Sequence, residues 1–333
     1  MNADYFSLPL AEPLATAAGD ITEREGFLVG IDAPAPGLGE ACPLPGWTES
    51  LDECRAALES ADGGELDTLP PAARHGVSLA LLDGAARDAG LPLYRHFGRD
   101  ERVESVPVNA TVGDAATETA VERVRDSVDA GFPAVKLKVG ARPLGTDLDR
   151  VRAVRDACPD VELRLDANGA WTRAEAAEAF AALDALDVAY VEQPLPAGDL
   201  AGHADLRRHE TGVALDEGLY EHGVDAALDA GAADTWILKP MAMGGPDVAL
   251  EAAVLARGAG IDPVVTTTID GAVARAAAVH VAAALPGVRA CGLATGDLLA
   301  ADFDPDPAPV ESGRARVPQK EGNTGATSPA DYA

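Results

Sequence analysis

Six side chains in the middle of this chain have the types and spacing for proton transfer at a carbon next to a carboxylate. Lys136 and Lys138 lie two residues apart in VKLKVG, residues 135–140. Asp166 ends the run LRLD, Glu192 sits in VEQP, Asp216 in ALDEG and Lys239 in ILKP. A neutral lysine can take a proton from such a carbon. Three carboxylates brought to one place repel each other unless a cation lies among them. Oxygen ligation without Cys or His selects a hard ion, so Mg²⁺ is expected, with Mn²⁺ as a substitute. Such an ion would bind a substrate carboxylate and stabilise the enediolate left when the α-proton is removed. Asn168 follows Asp166 by two positions and is expected to orient a ligand from behind.

The elements that must hold these groups follow from periodicity. VKLKVG alternates apolar and polar residues, which predicts a β-strand. Lys136 and Lys138 then share one face, and Val135, Leu137 and Val139 the other. In a barrel of parallel strands the apolar set faces the outer helices, which turns both lysines inward. The chain has only four lysines, Lys136, Lys138, Lys239 and Lys320, among 26 basic residues. Three of the four fall in expected buried strands, where lysine is rarely found without a partner. The plain alternative is a solvated lysine pair at a strand end.

From about residue 105 the pattern is strand then helix, repeated. Strands are expected at 106–112, 134–139, 161–167, 189–193, 212–217, 235–240, 263–268 and 289–295. Ala-rich amphipathic segments lie between most of them, which predicts an α/β fold with a parallel barrel. In such barrels functional residues stand at the C-terminal strand ends. Asp166, Glu192 and Asp216 would then converge on consecutive strands. Lys239 would end the sixth strand and face Lys138, on the second, across the mouth. Residues 1–100 are expected to form an α+β capping domain, with a contribution from about 304–320. The barrel is expected over 101–303, with one further strand near 314–317. Residues 321–333 are expected to be a disordered tail. Ser50 is a candidate N-cap for a helix beginning at SLDECRAAL.

Bulk properties narrow the partners. The 333-residue chain carries a formal charge of −29, which repels nucleic acid and anionic membranes. The excess is spread along the chain and lysine is scarce, a pattern expected of a salt-rich cytoplasm; an acidic protein of an ordinary cell is the alternative. No apolar run is long enough for a transmembrane helix, and the N-terminus lacks the features of a signal peptide. A cytoplasmic location and four reduced, mostly buried thiols are therefore expected. Oligomeric state is not legible here.

K-x-K, D-x-N, E-Q-P, D-E and K-P on successive strands resemble the enolase superfamily, in its muconate-lactonising subgroup. Within it, GLGEACPLPGWTES, LRLDANGAWT, LKPMAMGG and GLATGDLL resemble the o-succinylbenzoate synthase family. The resemblance implies a modified TIM-type (β/α)7β barrel and a small-molecule carboxylate substrate. It implies dehydration of 2-succinyl-6-hydroxy-2,4-cyclohexadiene-1-carboxylate to 2-succinylbenzoate, a step of menaquinone biosynthesis. By resemblance, Lys138 is the general base, which also protonates the departing hydroxyl, and Lys136 assists it. Asp166, Glu192 and Asp216 are the Mg²⁺ ligands, and Lys239 is the cation facing the intermediate. Arg164 is on the inward face of its strand and resembles a substrate-contacting arginine. Thr266 and Thr267, at the seventh strand end, and Gly292, at the eighth, are further expected substrate contacts. The segment from Leu14 to Arg24 resembles a mobile loop that closes over the substrate. Asp270, in TTTIDG, departs from a serine-rich strand end and adds an anion where a succinyl carboxylate would lie.

Two other functions compete. A racemase or epimerase acting on N-acyl amino acids or dipeptides would use the two opposed lysines as two bases. A non-catalytic binding barrel would have no need of the complete set of lysines and acids.

Overall fold

The computed structural model describes residues 1–16, 19–32, 35–61 and 66–332. Strands β1 (Asn2–Thr16), β2 (Gly19–Ile31) and β3 (Gly37–Ala41) form an antiparallel sheet. Helices α1 (Leu51–Ser60) and α2 (Pro71–Asp88) complete the cap. Ser50 caps α1 as expected: its hydroxyl accepts from Glu53 N, and the Glu53 carboxylate accepts from Ser50 N. Such a box satisfies two otherwise orphaned donors.

After β4 (Ser105–Pro107) comes the barrel. Its strands are β5 (Asn109–Val112), β6 (Ala134–Lys138), β7 (Glu162–Asp166) and β8 (Val188–Glu192). They continue as β9 (Gly212–Leu215), β10 (Thr235–Leu238) and β11 (Asp262–Val265). All seven are parallel and neighbours in chain order. The expected strand at 289–295 is reduced to two bridged residues. Cys291 pairs with Val108 and Gly292 with Thr266, both in parallel, so this segment spans the gap between β11 and the first barrel strand. A side chain at 292 would meet Thr266 Oγ1 at 2.5 Å, so glycine leaves the room that the Thr266 side chain occupies.

The alternation expected for β6 is present. Val135 and Leu137 are fully buried in a core with Val151 and Val154 of the following helix, and with Leu163 and Leu165 of β7. The lysines point the other way. Strand register fixes their neighbours: Lys138 pairs with Asp166 and Asp166 with Glu192, while Lys136 pairs with Arg164 and Arg164 with Tyr190. Two levels of inward side chains result. The upper is Lys138, Asp166 and Glu192; the lower is Lys136, Arg164 and Tyr190.

Polar contacts join cap to barrel. The buried Arg24 guanidinium donates to Cys42 O at 3.0 Å, and to Pro43 O and Ile269 O at 3.1 Å. Glu40 accepts from Gly271 N at 2.7 Å and Ala274 N at 2.8 Å, satisfying free donors at the start of helix Ala272–Ala284. Within the segment expected to close over the mouth, residues 17 and 18 lie outside the described residues. Either side of them β1 and β2 pair through Leu14–Ile21, Ala15–Asp20 and Thr16–Gly19.

Near the C-terminus the further strand expected at 314–317 is β13 (Arg314–Arg316), which pairs antiparallel with β12 (Val310–Glu311) and with β4. Residues 321–332 are not a disordered tail. Asn323 is buried, its side-chain amide donates to Val273 O at 2.9 Å, and its backbone carbonyl oxygen lies 2.7 Å from His280 Nε2. Composition suggested disorder; a few specific bonds to buried partners outweigh the ordering cost.

Candidate active site

The acids and lysines at the strand ends form a connected set. Lys138 Nζ lies 2.6 Å from Asp166 Oδ2 and donates to Asn168 Oδ1 at 2.7 Å. Lys136 Nζ sits lower, 2.9 and 3.0 Å from the two Glu192 oxygens and 3.1 Å from Asp166 Oδ2. Lys239 Nζ is 2.6 Å from Asp216 Oδ2. Asn168 is locked from both ends, because its Nδ2 donates to Glu217 Oε1 at 3.1 Å. Its backbone has φ +44° and that of Gln193 φ +43°. These non-glycine residues stand two positions after Asp166 and directly after Glu192, where strain is stored to aim functional groups. Gln193 braces the next strand end: its Oε1 accepts from Asp216 N at 3.1 Å and Gly218 N at 3.0 Å.

Electrostatics separates the three acids. Burial pushes Asp166 up, but the Lys136 and Lys138 charges outweigh it and hold the carboxyl below its usual range. Glu192 is pushed up to about 7 by burial and then by the Asp166 charge, with Lys136 opposing. Asp216 rises to about 6, by burial first, with Lys239 opposing. Two neighbouring acids destabilised as anions form a site that gains from added positive charge. Asp216 Oδ1 is buried without a hydrogen-bond partner, an acceptor left free for a cation. As the side chains stand, Lys136 and Lys239 occupy the other oxygens, and no three acids among the described residues form a ready-made metal cage. The all-oxygen chemistry and the free acceptor fit a hard divalent ion.

The two opposed lysines differ in access. The Lys138 side chain is 36% exposed and that of Lys239 9%. Lys239 is covered by Trp47 of the cap, whose ring centroid is 3.2 Å from Nζ. Trp47 and Tyr220 were not singled out from sequence. Trp47 lies within GLGEACPLPGWTES, and an aromatic residue in that loop is the signal the sequence offers.

Arg164 does not contact the mouth, contrary to expectation. It is fully buried in the lower level, donates to Glu162 Oε1 at 2.7 Å and Ala290 O at 2.6 Å, and lies over the Tyr190 ring. It is a core ion pair: an inward direction does not fix depth along the strand. Thr266 Oγ1 donates to Gly292 O at 2.8 Å, within the barrel closure. Thr267 Oγ1 lies 2.8 Å from Thr295 Oγ1. Both hydroxyls thus have partners in the protein. Asp270 is buried and accepts from Thr268 Oγ1, so its carboxylate is turned onto its own loop. All four thiols are free and buried, as expected.

Comparison with known proteins agrees with this architecture. Residues 119–326 match the family described as enolase C-terminal domain-like. An o-succinylbenzoate synthase of Thermobifida fusca is 39% identical over 304 residues, covering 89% of this chain and 82% of that one. An L-Ala-D/L-Glu epimerase of Bacillus subtilis is 30% identical over 309 residues, covering 85% and 84%. A dipeptide epimerase from Enterococcus faecalis, solved with Mg and the dipeptide L-Leu-L-Tyr, superposes with a TM-score of 0.87 at 25% identity, covering 97% and 98%. A (β/α)7β barrel under an α+β cap, with acids and lysines at its strand ends, defines the class. The chain belongs to the enolase superfamily, in its muconate-lactonising subgroup. No helix among the described residues is long and apolar enough to cross a membrane.

Proposed function

We propose that the protein is an o-succinylbenzoate synthase, dehydrating 2-succinyl-6-hydroxy-2,4-cyclohexadiene-1-carboxylate to 2-succinylbenzoate in menaquinone biosynthesis. The observation that carries this reading is the inequality of the two lysines. Dehydration needs one base, whereas racemisation needs two that exchange roles. Lys138 is open at the mouth, while Lys239 is held by Asp216 and roofed by Trp47. The synthase relative at 39% identity lends support. The end of the eighth barrel segment, GLATGD, lends more: it carries one acid, the exposed Asp297, where dipeptide epimerases typically carry two.

In this reading Lys138 Nζ, as the neutral amine, takes the proton from the ring carbon bearing the carboxylate. The electron pair of that C–H bond passes into the carboxylate to give an enediolate. The ammonium of Lys239, on the opposite side, opposes the developing negative charge. Lys138 then returns its proton to the hydroxyl on the neighbouring carbon; the C–O bond breaks, water leaves and the ring becomes aromatic. Lys136 stays charged between Asp166 and Glu192: burial opposes its charge, but the two acids outweigh burial and raise its pKa well above the ordinary value. Asp166, Glu192 and Asp216 would hold Mg²⁺, which supplies Lewis-acid stabilisation to a substrate carboxylate.

The second reading, epimerisation or racemisation, draws on the 30%-identical epimerase and on the dipeptide-bound structural neighbour. Offering the purified protein the cyclohexadiene substrate, N-succinyl amino acids and Ala-Glu dipeptides decides between them. Faster turnover of either alternative, with little dehydration, would replace the synthase reading.

A further inference from the structure

Lys239 is enclosed by three side chains from different parts of the chain. Asp216 Oδ2 lies 2.6 Å from its Nζ, and the ring centroids of Trp47 and Tyr220 lie 3.2 and 5.8 Å away. Tyr220, on helix Glu217–Asp229, also fixes the lysine backbone. Its hydroxyl accepts from Lys239 N at 2.6 Å and donates to Ile237 O at 3.0 Å. Trp47 meets Tyr220 edge-on, with ring centroids 5.4 Å apart at 85°.

The loop that presents Trp47 is built rather than draped. Trp47 N and Thr48 N both donate to Leu44 O at 2.9 Å, and Leu44 N donates to Thr48 Oγ1 at 2.8 Å. Gly46 turns the chain with φ +96°, a conformation that glycine adopts without strain. Directly afterwards, Glu49 accepts from Ala72 N at 3.0 Å and Ala73 N at 2.8 Å at the start of α2, and Ser50 caps α1. The indole is therefore fixed by the cap's own framework.

We propose that Trp47 is a positioning residue for the reaction, holding the Lys239 ammonium at the mouth opposite Lys138 and closing that side to water. The inference rests on Lys239 being the cation that faces the intermediate. A lysine head on four rotatable bonds with one carboxylate partner can swing about that partner. The indole face adds a second attraction from a different direction and displaces water from the ammonium. The cap thereby contributes a working wall to the catalytic end.

The test uses the full chain with Trp47→Phe, Trp47→Leu, Lys239→Met and the double variant Trp47→Leu/Lys239→Met. Trp47→Leu is expected to lower kcat about 10- to 30-fold with KM changed less than about threefold, the scale of a desolvated cation over an indole. Trp47→Phe, which keeps an aromatic face, should recover most of the loss. The Tm losses of Trp47→Leu and Lys239→Met should fail to add in the double variant, because the second change finds its partner gone. Additive Tm losses, Phe behaving like Leu, or a raised KM with unchanged kcat would each overturn the proposal. The melting cycle needs no substrate. Should the wild-type protein fail to dehydrate the cyclohexadiene, the reaction assignment falls while the cycle still decides the Trp47–Lys239 pairing.

Discussion

Lys138 and Lys136, two residues apart on β6, divide one oxygen between them: their Nζ atoms lie 2.6 and 3.1 Å from Asp166 Oδ2. The lower lysine is also bound to Glu192, whereas the upper one has Asn168 and the open mouth. Position along the strand thus assigns different work to identical side chains.

Removing the upper lysine should remove the base. Lys138→Ala is expected to lower kcat about 10²- to 10⁴-fold, the range of general acid–base catalysis, while 2-succinylbenzoate still binds. Steady-state kinetics with calorimetric product binding checks both. Turnover within about tenfold of wild type would take the role of base from Lys138.

Three buried acids, one with a free oxygen, are expected to need a divalent ion for turnover. Exhaustive chelation should abolish activity, with Mg²⁺ restoring it and Mn²⁺ substituting. Metal-free protein of full activity would sink the ligand assignment of Asp166, Glu192 and Asp216.

Glu40 gives a pH signature. Burial first, then the Asp270 charge, push its carboxyl up to about 8. The unfolded chain releases this proton near pH 4.5 and the folded chain only near 8. Between those values the folded state holds more protons, so stability falls as pH rises, and levels off above 8. The window is worth on the order of 3–5 kcal/mol. Denaturant melts from pH 5 to 9 should show Glu40→Gln with a clearly shallower decline than wild type. Parallel profiles would mean that Glu40 is ionised throughout.

Arg164 should matter to stability rather than to substrate affinity, because its guanidinium is spent on Glu162 and Ala290 O. Arg164→Met is expected to cost about 2 kcal/mol, because the buried Ala290 O loses a charged donor, with KM within twofold of wild type. A KM raised tenfold in a protein of normal Tm would return it to the substrate.

The charge of −29 predicts that Tm rises from dilute buffer to molar KCl, as screening relieves self-repulsion. A flat profile would remove the salt-adapted reading and leave the chemistry untouched.

The amino-acid sequence by itself determined the barrel and the identity of its acids and lysines. Period-two alternation decides which face of β6 carries Lys136 and Lys138, and the order of strands decides which ends are neighbours. These are local properties of the chain. The tertiary structure decided what each inward side chain touches. Arg164 and Lys138 both point inward, yet one level of register separates a core ion pair from the open mouth. Residues 321–332 have the composition of a loose tail, yet Asn323 finds Val273 and His280 across the cap–barrel boundary. Trp47 reaches Lys239 across 192 positions of sequence. No pattern along the chain encodes such a contact, because it depends on how the cap packs on the barrel.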